Sequence, residues 1–102
     1  MLVAVACDFG KPRPALVVQT DLFNLDHPTL TLALVTSELR QAALFRIDIG
    51  PSAKNGLRHP SQIMIDKIAT QPRGKIGRVI GHADDRTMTA VNRALALWLG
   101  LA

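Results

Sequence analysis

Short alternations of apolar and polar residues dominate the chain until its last twenty positions, where the period lengthens. Residues 2 to 7 (LVAVAC) form a short β-prone run, and Asp8-Phe9-Gly10-Lys11-Pro12 then carries the Gly and Pro of a turn. Residues 14 to 20 (PALVVQT) are apolar and partly β-branched, as in a strand buried on both faces, so the first two strands read as a hairpin. In residues 29 to 36 (TLTLALVT) Leu30, Leu32 and Leu34 alternate with Thr29, Thr31, Ala33 and Val35, which predicts a strand with two unlike faces. Residues 44 to 49 (LFRIDI) put Phe45, Ile47 and Ile49 on one face and Arg46 with Asp48 on the other, a half-exposed strand that Gly50-Pro51 ends. Residues 52 to 60 read as a loop in which Asn55-Gly56 offers positions for positive φ. A strand from Ile63 to Ile68, a turn at Gln71-Pro72-Arg73-Gly74 and a last short strand from Arg78 to Gly81 complete the β part.

From residue 84 onward the spacing is helical. Asp84 or Asp85 suits the N-cap, and Met88, Val91, Leu95 and Trp98 recur at intervals of three and four, with Ala94 and Leu99 widening the stripe. This reading places Trp98 in the helix core, and Gly100 suits the position that stops the helix. The fold class is mainly β (α+β): about six short strands, closed or nearly so into a small SH3-like barrel, with one C-terminal amphipathic helix. Closure removes sheet edges that a chain of 102 residues has little material to cover. Residues 1 to 102 make a single domain.

Composition narrows the classes. With 48% hydrophobic and 20% charged residues the chain is globular, and no apolar run approaches the roughly 18 residues of a membrane span. Residues 1 to 6 carry no basic segment before them, so a secretory leader reads poorly and a cytoplasmic location is expected, away from membranes. The lone Cys7 reads as a packed thiol in the first strand, without an internal partner or a metal-ligand set. Residues 53 to 82 hold six Lys and Arg against the single Asp66, whereas residues 1 to 52 are close to neutral. Such a segment offers phosphate contacts to nucleic acid or a landing site for an acidic protein, or serves as a solubilising face.

Four stretches carry a family likeness. Gly10-Lys11-Pro12-Arg13-Pro14-Ala15-Leu16-Val17-Val18-Gln19 resembles the loop and second strand of the MazF/PemK toxins of bacterial toxin-antitoxin pairs. Leu34-Val35-Thr36-Ser37 resembles that family's third-strand ending, and Pro60-Ser61-Gln62-Ile63 through Asp66-Lys67-Ile68-Ala69-Thr70 its next signature strand. The segment from Asp84 to Leu101 is similar to its C-terminal helix, so the likeness spans nearly the whole chain in the family's order. The resemblance implies a barrel of the CcdB/MazF/PemK type and a homodimeric toxin. Its implied activity is that of an endoribonuclease, an mRNA interferase that cuts single-stranded RNA at short sequences without a metal or other cofactor. The cut proceeds by 2′-hydroxyl attack, leaving a 2′,3′-cyclic phosphate and a 5′-hydroxyl, and an acidic MazE/PemI-like antitoxin silences it.

Such a reaction needs a base for the 2′-hydroxyl proton, donors for the charge growing on the phosphoryl oxygens, and an acid for the leaving oxygen. Arg13 is the first candidate, because its fork of donors suits a pentavalent phosphorane and the flanking prolines restrict its backbone; the alternative is a surface arginine paired with Asp8. Thr36 matches the family's active-site threonine and is expected to donate its hydroxyl to a phosphate oxygen, against the plainer role of a strand cap. Asp66, ionised among cations, is the candidate base, or else a charge-balancing carboxylate. Lys11, Ser37, Arg58, Gln62 and Lys67 are the candidate RNA contacts, although strand alternation sends Lys67 and Asp66 to opposite faces. No metal ligands are expected. His27, His59 and His82 fall in predicted turns or strand ends, and none matches a catalytic position of the family, so the general acid stays unassigned.

The chain also departs from the family pattern. Met1-Leu2 starts directly in the first strand without the basic-glycine-acidic segment that many members carry, so a shortened N-terminus is expected. Met64 stands where the plasmid branch has an arginine. Two other functions fit a chain of this type: poisoning of DNA gyrase, as in the CcdB toxins, and binding of nucleic acid without catalysis. The gyrase poisons end in Trp-Gly-Ile, whereas Leu99 here separates Trp98 from Gly100. Four aromatic residues offer few platforms for base stacking, which weighs against the pure binder.

Overall fold

Each alternating segment becomes an antiparallel strand. The computed structural model describes residues 1–6, 11–20, 26–41 and 44–101. Its strands are β1 (Leu2–Val5), β2 (Arg13–Val17), β3 (Thr29–Thr36), β4 (Arg46–Ile49), β5 (Ser61–Pro72) and β6 (Ile76–Gly81), followed by the helix α1 (Asp85–Trp98). They form one sheet in the order β4-β5-β3-β2-β1-β6. β1 and β2 are the expected hairpin, with Val5 opposite Arg13 and Leu2 opposite Leu16. Cys7 and the turn residues 8 to 10 lie outside the described residues. The sheet does not close: β4 and β6 are its two edges, so the expected barrel is met only loosely.

The two-faced pattern of β3 builds two cores. Ala33 and Val35 join Leu2, Leu16, Ile49, Ile63 and Ile65 on the face that α1 covers with Val91 and Ala94. Leu30 and Leu32 join Val3, Val5, Ala15 and Val17 on the other face. Burying both sides makes the central strands nearly continuous runs of apolar residues, and each fully buried Leu or Ile contributes about 1.5 to 3 kcal/mol relative to exposure.

β5 is longer than the pattern indicated and bends in the middle. Its first residues pair with β4 on one side and the end of β3 on the other, Ser61 opposite Ile49 and Gln62 opposite Thr36. Its last residues pair with β3 alone, Ile68 opposite Ala33 and Pro72 opposite Thr29. Between these stretches Met64 to Lys67 face only Leu34 on the β3 side, a bulge that Ile65 anchors in the core, while Met64 still pairs with Arg46 of β4. Pro72 is accommodated because β4 has already ended, and its missing N–H leaves no ladder bond unmade on that side. A short 3₁₀ turn, Arg73–Lys75, leads into β6.

Of the two aspartates that suit the start of α1, Asp84 is the cap: its carboxylate accepts from the Thr87 N–H at 2.8 Å. Gly100, at φ 73°, closes the other end, with its N–H on the Leu97 carbonyl at 3.2 Å and the Leu101 N–H on the Ala96 carbonyl at 2.7 Å. Trp98 corrects the sequence reading. It is 46% exposed and meets Phe45 edge-on at 5.1 Å, because the last turn of α1 reaches past the core to the start of β4. No helix among the described residues is long and apolar enough to cross a membrane.

Candidate active site

Where the start of β2, the end of β3 and β6 approach the loop before β5, a cavity of about 470 Å³ opens to solvent. Lys11 and Arg13 line it from one side, Thr36 and Ser37 from the end of β3, Arg58 and His59 from the loop, and Arg78 from β6. Among the described residues, four cations and three hydroxyl residues, Thr36, Ser37 and Ser61, therefore line a single space, and no Asp or Glu does. Arg13 begins β2 between Pro12 and Pro14, exposed, and its guanidinium has no partner among the described residues. The alternative pairing with Asp8 falls outside them. A guanidinium at the cleft presents a planar fork of donors that matches the oxygens of an anion.

Thr36 is the last residue of β3, and its Oγ1 accepts the Glu38 N–H at 3.0 Å. With a lone pair committed to the turn, the hydroxyl proton is left to donate elsewhere. The cap role and the donor role weighed for this threonine are thus compatible. The loop that presents Arg58 and His59 is organised by Asn55, a buried polar residue. Its Oδ1 accepts the Ser52 N–H at 3.0 Å and the Leu57 N–H at 2.9 Å, and its Nδ2 donates to the Gly50 carbonyl at 2.7 Å. Gly56 follows at φ 71°, and a Cβ there would clash with the Ile80 carbonyl oxygen. A Cβ at Gly81 would sit 2.5 Å from Asn55 and Lys54 backbone atoms, so the loop lies directly on the β6 backbone.

The fold gathers Lys11, Arg13, Thr36, Ser37 and Arg58 from the candidates. Asp66 and Lys67 are not among the cleft-lining residues: both sit in the β5 bulge and both are exposed. Gln62 corrects its expectation as an RNA contact. Its buried amide donates to the Arg40 carbonyl at 2.8 Å and Asp48 Oδ1 at 2.9 Å, and accepts from the Arg40 N–H at 2.9 Å and Arg46 Nη1 at 3.1 Å. Those bonds use its whole capacity to fix the segment after Ser37 against β4 and β5. Arg78 was visible as one charge of the basic segment but not as a site residue, since it is the β1–β6 pairing that brings β6 to the cavity that Arg13 also lines. His59 was passed over as a loop histidine. No three His, Cys, Asp or Glu among the described residues converge as a metal site would require.

A family model described as PemK-like, MazF-like toxin of type II toxin-antitoxin system matches residues 3–99. The chain belongs to that PemK/MazF family. It is similar to the probable endoribonuclease MazF of Mycolicibacterium smegmatis, at 38% identity over 91% of this chain and 84% of that one. It is 32% identical to the endoribonuclease EndoA of Bacillus subtilis, over 95% of this chain and 84% of that one. Its fold matches a solved endoribonuclease in complex with its cognate antitoxin from a mycobacterial species, with a TM-score of 0.84 and 25% identity over 99% and 92% of the two chains. The PemK/MazF chain is a toxin endoribonuclease of a type II toxin-antitoxin system. In this family member the cleft, with its cations and the Thr36 hydroxyl, is the candidate place of reaction.

Proposed function

We propose that the cleft cuts single-stranded RNA by attack of a ribose 2′-hydroxyl on the neighbouring phosphodiester, leaving a 2′,3′-cyclic phosphate and a 5′-hydroxyl. The convergence of Arg13 and Thr36 on one cavity carries this reading. The Arg13 fork takes the two non-bridging oxygens as charge builds on them, and the Thr36 hydroxyl donates a further hydrogen bond to the same phosphoryl group. Lys11, Arg58 and Arg78 hold the flanking phosphates, with Ser37 beside the ribose. These side chains supply the charge stabilisation that a metal would otherwise provide. Asp66 and Lys67, outside the cleft lining, take no part in this scheme, and Gln62 acts by fixing the segment after Ser37 against β4 and β5.

The same reading makes the toxin a cytoplasmic homodimer. Leu97, Leu99 and Leu101 are more than half exposed beside the half-exposed Trp98, an apolar surface that a second copy would cover. Its inhibitor is an acidic antitoxin laid across the four cations, in keeping with the antitoxin complex of the mycobacterial relative. Trp98 is exposed, as a tryptophan that contacts gyrase would have to be, but a gyrase poison has no use for a cleft built from Arg13 and Thr36.

The test is incubation of the purified protein with a long single-stranded RNA in chelator, beside Arg13→Ala. Discrete cuts with cyclic-phosphate ends, slowed about 100- to 1000-fold in the variant, are expected from loss of a preorganised donor. Intact RNA, with inhibition of gyrase instead, would overturn the reading.

A further inference from the structure

We propose that His59 is the general base of this cleft, an inference that rests on the RNA-cleavage reading above. Among the described residues, the charged side chains lining the cavity are Lys11 and Arg13 at the start of β2, Arg58 in the loop and Arg78 on β6, all cations. Ammonium and guanidinium groups hold their protons at neutral pH, so they donate and do not accept. The Thr36 Oγ1 already takes the Glu38 N–H and has its own proton to give. The attack step needs something these groups lack, a lone pair able to take the 2′-hydroxyl proton near neutrality. Among the described residues that line the cleft, the His59 imidazole is the side chain that offers one. Asp66, the carboxylate that the sequence suggested for this step, stands in the β5 bulge outside the lining.

The position of His59 is set by its surroundings while its ring is left open. Its carbonyl accepts the Ser61 Oγ–H at 2.9 Å, and the following Pro60 restricts its backbone to extended conformations. Upstream, the Asn55 network holds the loop on the β6 backbone. The imidazole itself makes no hydrogen bond among the described residues. In the reaction the 2′-O–H proton passes to the unprotonated ring nitrogen as the 2′-oxygen bonds to phosphorus. The P–O5′ bond breaks with its electron pair on O5′, which takes a proton from water. His59 returns its proton to the resulting hydroxide, and the cycle balances.

The experiment follows kcat/KM against pH for a short RNA with one cleavage site, with wild type, His59→Gln and His59→Gly. Binding of the same RNA with a 2′-deoxy sugar at the attacking position is measured in parallel. Wild type is expected to lose activity about tenfold per pH unit on the acid side, as imidazole protonation removes the acceptor. His59→Gln should lose about 100- to 1000-fold in kcat, bind the deoxy RNA within about twofold of wild type, and lack the acid limb. Added imidazole should restore part of the activity of His59→Gly. An intact acid limb in His59→Gln, a loss confined to RNA binding, or disappearance of the limb in Asp66→Asn instead would each overturn the proposal. If wild type cuts and His59→Gln cuts as well, the base alone falls; if wild type leaves the RNA intact, the cleavage reading falls and takes the base with it.

Discussion

Asn55 shows how much of the cleft depends on a residue that never enters it. Its side chain satisfies two loop N–H groups and one carbonyl, and the Asn55 N–H donates to Ser52 Oγ at 3.1 Å. Removing the amide leaves those groups without this partner, at a cost of about 1 to 3 kcal/mol for each one that water does not reach. Asn55→Ala is therefore expected to lower stability by about 2 kcal/mol overall, a fall in Tm of about 8 to 16 °C for a domain of this size, read by thermal melting. RNA cleavage should drop with it even below the melting temperature, because Arg58 and His59 lose their support. At this scale the sequence was informative wherever chemistry is local. Arg13 between prolines and Thr36 at a strand end stand out in the bare chain, and the fold brings both to one cavity. Gln62 misled because a polar side chain in a signature strand looks the same in sequence whether it faces RNA or is spent inside the fold.

Among the elements, α1 was legible at both ends, since capping involves residues a few positions apart: Asp84 with Thr87, Gly100 with Leu97. Hydrogen bonds from Thr87 hold the Asp84 carboxyl below its usual range, and the charges of Lys54 and Arg86 add to the effect. A lowered folded pKa means that this carboxylate supports the fold above the ordinary aspartate range and stops doing so as pH falls through the lowered value. Asp84→Ala should therefore melt earlier than wild type at neutral pH, and the gap should close in acid, measured by helical circular dichroism against temperature at several pH values. The bend in β5 was not legible, and for a physical reason. Alternation assumes one partner residue for each residue, whereas Met64 to Lys67 share Leu34 on the β3 side, a mismatch fixed by pairings about thirty positions away. Trp98 failed similarly, since helical spacing predicts a side chain's direction but not where the sheet beneath it ends.

For the molecule as a whole, the fold redistributes charge that looked like one block in the chain. Arg58 and Arg78 leave the basic segment to meet Lys11 and Arg13 from the near-neutral front half, while Lys67 stays in the β5 bulge. Four cations on one cleft set the salt response of RNA binding. For a single strand the slope of log K against log salt is about −0.7 per phosphate neutralised, so about −3 is expected for four contacts. Arg78→Ala should make that slope shallower by about 0.7 and weaken binding of RNA evenly across sequences, which titrations of a 2′-deoxy-blocked RNA at several salt concentrations would show.

The packing of the Asn55 loop on β6 also bears on how the protein ages. An asparagine followed by glycine deamidates when the glycine nitrogen attacks the side-chain amide carbon, and Asn55-Gly56 is such a pair. Here the Gly56 N–H is engaged with the Ser52 carbonyl at 3.0 Å and the amide is clamped by three bonds, so the attack geometry is withheld while the fold is intact. Once the chain unfolds the reaction is released, and its aspartate product brings a negative charge to a site built around a neutral amide. Chain held above its melting temperature should then accumulate deamidation at Asn55, seen by peptide mass spectrometry, and lose the ability to refold in step with it, whereas native protein stored for the same time should not. Heat inactivation of this toxin would be a chemical clock that starts only when the loop lets go.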